Sequence, residues 1–291
     1  MFTKFSAIDI LYRFCLGFCS LFFVAPAAGA ETLNLFKAVE SNSEYLDGLI
    51  KMALAESGTR YQFDNNLTPT YLARDLQLLE QGQLSVYWTT ATAELEQQYR
   101  PVRIPLFRGL LGHRIFLIRK GDQHKFNHIQ TIDDLRGISI GQGQDWTDTK
   151  ILEANGLKVV TAIKYGSLFD MLEGGRFDAF PRGLQEPWNE IKARPDFALE
   201  VEKNILLVYK MPFYLFVAKN NERLAQDFEN GFRQIIDNGS FKQYFVNYPS
   251  IKETIARAQL KHRTVIKLEN PFLSSATPVD QPELWFDLSD L

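Results

Sequence analysis

Short apolar runs alternate along the chain with longer stretches whose apolar residues recur every three or four positions, the pattern of an α/β protein. Residues 33–37 read as a strand and residues 44–57 as a helix, with Leu46, Leu49, Ile50, Ala53 and Leu54 on one core-facing side. A strand at 61–63, a helix at 70–81 with Leu72, Leu76 and Leu79 stacked, and a strand at 84–88 complete a β-α-β-α-β unit.

A second set begins after Arg119: a helix at 131–135, strands at 138–140 and 157–162 around a helix at 147–155, then a helix at 167–173 and a strand at 177–180. A helix at 184–194 precedes apolar runs at 205–208 and 212–217. The long helix at 222–238 carries Leu224, Phe228, Phe232, Ile235 and Ile236 on one face, and Gly239 follows as the residue that ends it. The pattern predicts two lobes, each a mostly parallel sheet flanked by helices, with the second inserted into the first. Lobe I is expected to span residues 31–118 and 211–250, and lobe II residues 119–210, with crossings near Arg119 and Tyr209. The tail, 251–291, reads as a helix at 251–259 followed by extended sequence in which Phe272, Trp285 and Phe286 pin it onto a lobe.

The first thirty residues have a different composition. Basic residues at Lys4 and Arg13 precede the apolar run 14–24, and the segment ends in small residues at Ala28 and Ala30. Residues 1–30 are read as a secretory signal peptide cleaved before Glu31, because the run is short for a membrane span and the small residues suit signal peptidase. Both cysteines, Cys15 and Cys19, lie in that segment, so cysteine chemistry is excluded from the exported chain. The segment also holds Lys4, Arg13 and Asp9, which leaves 30 of the chain's 32 basic and 34 of its 35 acidic residues, without a long run of either sign. Nucleic acid is therefore excluded as a partner, and a soluble periplasmic monomer is expected.

Residues 131–137 read T-I-D-D-L-R-G and are followed by Gly141 and Gly143, which resembles the "s-l-x-D-L-k-G-k-x-v-g-v-x-x-G" opening of the second lobe in type II periplasmic solute-binding proteins, the bacterial amino-acid-binding (family 3) group in particular. Residues 172–179, L-E-G-G-R-F-D-A, are similar to that group's "l-x-x-G-r-v-D-a", and residues 228–244 to its final helix pair. The resemblance covers residues 31–248 and implies hinge strands between lobes, with the ligand held where strand ends face each other across a cleft. On that reading the ligand contacts are Glu40, Trp88, Thr89 and Thr90 from lobe I. Lobe II supplies Gln144, Asp145, Trp146, Thr147, Arg182 and Gln185, and Arg108 lies on the way to the hinge. Backbone amides beside Gly141 and Gly143, at a helix start, could hold a carboxylate. Trp88 fits a core position as well as ring stacking on a ligand.

Two departures from the group bear on the ligand. Its "T-x-x-R" arginine, which grips an α-carboxylate, falls at Gln98, with Arg100 two residues late. Its usual ammonium-accepting aspartate falls at Arg182 and Gly183. A small polar, amino-acid-like or carboxylate-bearing ligand is expected, with Arg182 meeting its negative group. No metal or cofactor is expected: His124 and His128 lack the glutamate of H-E-x-x-H, and Gly141-x-Gly143 lacks the third glycine of a dinucleotide loop. No G-x-S-x-G elbow marks a hydrolase. The reading is a non-enzymatic receptor delivering its ligand to an ABC permease. The alternatives are a module acting on a membrane sensor kinase or other envelope partner, and an envelope enzyme on the same fold.

Overall fold

The computed structural model describes residues 30–38 and 41–291; residues 1–29 of the expected signal peptide and Glu40 lie outside the described residues. The chain opens with β1 (Glu31–Phe36), α1 (Ser41–Ala55), β2 (Tyr61–Leu67), α2 (Leu72–Glu80), β3 (Tyr87–Thr90), α3 (Ala93–Gln98) and β4 (Arg100–Val102). It continues through β5 (His113–Arg119), α4 (Ile132–Leu135), β6 (Ser139–Gly143), α5 (Thr147–Ala154), β7 (Lys158–Ala162), α6 (Tyr165–Glu173) and β8 (Ala179–Gly183). Then come α7 (Pro187–Lys192), β9 (Leu199–Val201), β10 (Ile205–Val208) and β11 (Phe213–Val217). Helices α8 (Glu222–Asp237), α9 (Ser240–Asn247) and α10 (Pro249–Ala258) follow, and β12 (Thr264–Lys267) is the last strand.

Amphipathic spacing accounts for the first lobe. The side of α1 bearing Tyr45, Leu46, Leu49, Ile50, Ala53 and Leu54 is fully buried, and it packs on the face of α8 formed by Leu224, Phe228, Phe232 and Ile235. The helices approach so closely that a β-carbon at Gly231 would strike the Ala53 carbonyl. These helices cover β1, which pairs in parallel with β2, and the antiparallel sheet β3-β11-β4.

The second lobe is a mixed seven-stranded sheet in the order β12-β10-β5-β8-β6-β7, with β9 beside β5. Pairs β6–β7, β6–β8 and β10–β12 are parallel, whereas β5 runs antiparallel to β8, β9 and β10. The antiparallel members follow from the crossings: β5 enters the sheet from the first lobe and β10 leaves it toward β11. Because β5 already belongs to the large sheet, the first crossing occupies residues 103–112, ahead of the Arg119 expected from the sequence. The second lies at 209–212, between β10 and β11. Strand β8 runs to Gly183, so Arg182 stands within a strand, opposite Ile115 of β5. Pro187 at the first turn of α7 delays that helix relative to the expected start at residue 184.

The tail does not lie on one lobe. After α10, β12 joins the large sheet beside β10, and Trp285 and Phe286 then pack near the first crossing, where Phe286 enters the core of the first lobe. Among the described residues no helix is long and apolar enough to cross a membrane.

Candidate functional site

The end of β3 and the start of α5 come from opposite lobes to a cavity of about 320 Å³. Thr90, Thr92 and Glu94 line it from the first lobe, Thr147 and Lys150 from the start of α5, and Met211 and Pro212 from the second crossing. Thr92 caps α3 by accepting a hydrogen bond from the Leu95 N–H at 3.3 Å, which fixes the wall bearing Glu94. The Glu94 carboxyl sits below its ordinary range because its own backbone N–H and the Thr92 hydroxyl bond to it, with Lys150 across the cleft adding to the effect. One acid and one base thus flank a set of hydroxyls. Asn270 to Leu273 of the tail form the remaining wall.

A second cavity, about 280 Å³, opens between α7 and α10 and is lined by Gln185, Trp188 and Asn189 on one side and Asn42, Glu253 and Arg257 on the other. The Arg257 guanidinium lies 4.8 Å above the Trp188 ring, a cation–π contact from one lobe to the other.

The structure brings Thr90 and Thr147 into one cavity and places Gln185 in the other. Thr89 is half-buried on β3 opposite Tyr214. Trp88, half-buried, meets Phe36 edge-on at 5.8 Å and packs against the lobe I core. Gln144 and Asp145 are exposed in the turn from β6 to α5. Trp146 covers Gly143 so tightly that a β-carbon there would strike its ring, and Phe177 does the same at Gly141. Those glycines therefore make room for ring packing on β6.

Two arginines expected in the cleft are engaged elsewhere. Arg182, 7% exposed, donates from Nε to both Glu190 oxygens at 2.8 and 3.0 Å, and its Nη2 lies 2.7 Å from Glu190 Oε1 and 3.1 Å from Glu186 Oε2. Its guanidinium also faces the Phe180 ring at 4.6 Å and the Trp146 ring at 5.3 Å. The fork expected to grip a ligand carboxylate is filled by Glu190, because α7 carries that acid back over β8. Arg108, 3% exposed, turns away from the cleft and into the tail. Its Nη1 is 2.7 Å from Asp290, and its Nη2 donates to the Glu283 and Trp285 carbonyls at 3.1 Å each. Arg108 holds a left-handed backbone, φ 49°, which a side chain adopts only under local constraint.

Sequence reading missed Arg114, at the start of β5. Its Nη2 is 2.7 Å from Asp148, its Nε donates to the Tyr209 hydroxyl at 3.0 Å, and Tyr209 in turn donates to Asp148. Burial alone would lower the Arg114 pKa; Tyr209, Asp148 and Glu186 outweigh it and raise the value. The signal lay in the spacing of Arg182, Glu186 and Glu190, an ion-pair register of fours, and in an arginine heading an otherwise apolar strand. Next to it, burial pushes the His113 imidazole down to about 4, against the pull of the Gly109 carbonyl that faces its Nδ1 at 3.2 Å. Among the described residues no group of three or more His, Cys, Asp or Glu side chains is placed to hold a metal ion.

Two α/β lobes joined at their crossings, with a cavity of mixed polar and apolar lining between them, make a two-lobed α/β fold. Among solved structures the chain is similar to an ancestral arginine-binding protein bound to arginine, at 18% identity over 76% of this chain and 98% of that one, TM-score 0.45. It is also similar to substrate-binding domain 2 of Lactococcus lactis GlnP in its open conformation, at 14% identity over 77% of this chain and 96% of that one, TM-score 0.48. A third is the amino-acid ABC transporter substrate-binding protein AbpA of Streptococcus pneumoniae bound to L-arginine, at 14% identity over 78% and 96%, TM-score 0.45. No family model and no curated protein matches the chain.

Proposed function

We propose that this chain is a periplasmic solute-binding receptor that takes a small polar, amino-acid-like or carboxylate-bearing molecule into the cavity between its lobes and delivers it, unchanged, to an ABC importer. The observation that carries the reading is the cavity bounded by Thr90, Thr92 and Glu94 on one lobe and by Thr147 and Lys150 on the other. Hydroxyls between an acid and a base suit a molecule bearing both a carboxylate and an ammonium, each meeting its opposite charge from a different lobe. With Arg182 committed to Glu190, Lys150 is the cation left at this cavity for a ligand carboxylate.

A thermal-shift screen against amino acids, small carboxylates, sugars and polyamines tests this. A ligand at a hundredfold its Kd adds about 2.7 kcal/mol of stability, a rise in Tm of about 5 to 10 °C for a chain of this size. The expected hit is a carboxylate-bearing compound, its shift reduced by Lys150→Glu and by Thr147→Val, and recovered unaltered after incubation. A screen without hits, or a hit indifferent to both substitutions, removes the cavity as the binding site.

A further inference from the structure

The tail touches both crossing segments between the lobes. At the first, the Phe286 N–H donates to the Arg108 carbonyl at 2.6 Å, and Arg108 answers through Asp290 and two tail carbonyls. The Trp285 ring lies against Gly109, leaving no room there for a side chain. At the second, Asn270 donates to the Lys210 carbonyl at 2.8 Å, and the Lys210 ammonium sits 4.3 Å above that same Trp285 ring. Trp285 is thus wedged between the two strands of chain about which the lobes must turn.

The ends of the tail are fixed to opposite lobes. On the second lobe, β12 is paired with β10, and Asn155, which caps the end of α5, exchanges two hydrogen bonds with the Glu269 backbone, at 2.7 and 3.0 Å. On the first, Lys242 of α9 lies 2.7 Å from Asp290. Hinge bending requires the crossing segments to change their backbone angles, and here those segments are hydrogen-bonded to a third stretch of chain that is itself held on both sides. Any change of angle must break or shear those contacts.

We propose that residues 264–291 form an intramolecular strap that fixes the angle between the lobes, so that the molecule holds one arrangement before any ligand arrives. The inference rests on the two-lobed fold and not on the identity of a ligand. The same strap places Phe272, 50% exposed, at the wall of the cavity, so that its position and the cavity's width are set together.

Pulsed electron–electron resonance on the full chain without ligand tests the strap. With Cys15 and Cys19 replaced by serine, nitroxides at Glu56→Cys and Lys158→Cys report the separation of the lobes from exposed positions away from the tail. The strapped chain is expected to show one narrow distance distribution. Trp285→Ala should broaden it about twofold or split it, as a released hinge does, and Asp290→Ala should do so to a smaller extent. Circular dichroism and denaturation curves establish that each variant is folded. If Trp285→Ala does not fold, Asp290→Ala decides the matter alone. Wild-type distributions in the folded variants, or two populations in the unsubstituted chain, overturn the proposal.

Discussion

At the scale of single residues, the chain settles its buried charges internally. Arg182 and Glu190 are both nearly excluded from solvent, with side-chain exposures of 8% and 9%, and the Tyr165 hydroxyl donates to the same Glu190 oxygen at 2.5 Å. A pair of this kind is weak support for stability as a whole, yet breaking it leaves one charge buried without compensation. Arg182→Ala and Glu190→Gln are each expected to cost about 3 to 5 kcal/mol, and the double change Arg182→Leu with Glu190→Leu much less than their sum. Urea denaturation at neutral pH measures all three. Single losses below about 1 kcal/mol would mean that water screens the pair as it does surface pairs. The sequence marked Arg182 as unusual but could not assign its partner: the position after an apolar strand was visible, whereas the return of α7 over β8 depends on tertiary packing. Arg108 was hidden in the same way, since its anchor Asp290 lies 182 residues along the chain.

At the scale of elements, α1 and α8 were readable because their apolar spacing persists over several turns and each has one buried face. Strands β5 and β12 were not. The first begins with the buried His113 and the half-buried Arg114, which pairs with Asp148, and the second is four residues long with no turn signature before it. Where the two long helices meet, Gly231 reports how exacting the contact is. Alanine favours a helix over glycine by about 1 kcal/mol, so an unconstrained Gly231→Ala should stabilise α8. Overpacking against the Ala53 carbonyl is expected to reverse the sign and leave a net loss of about 1 to 3 kcal/mol. Gly166, in α6, has open space around its α-carbon, and Gly166→Ala should be neutral or slightly stabilising. Equal effects at the two sites by chemical denaturation would show that the α1–α8 contact yields without cost.

At the scale of the whole molecule, the succession of strands and helices was legible in the alternation of apolar runs. The path of the last forty residues was not, because its Pro-containing sequence carries no periodicity and its partners lie in both lobes. Export is a proposal about the entire chain, motivated by Lys4, the apolar run and Ala28 to Ala30. Mass spectrometry of a periplasmic extract should find a chain beginning near Glu31, and recovery of uncut protein from the cytoplasm would contradict the export reading. Strand β12 also gives the large sheet a particular border. It covers the flank of β10 that would otherwise present a row of free amides and carbonyls, and it replaces that flank with a four-residue strand ending in the exposed Lys267. Short, charged borders are poor templates for a second chain, whereas an uncovered apolar one invites edge-to-edge pairing. In a crowded compartment, β12 therefore closes off the place where a neighbouring copy could add itself to the sheet.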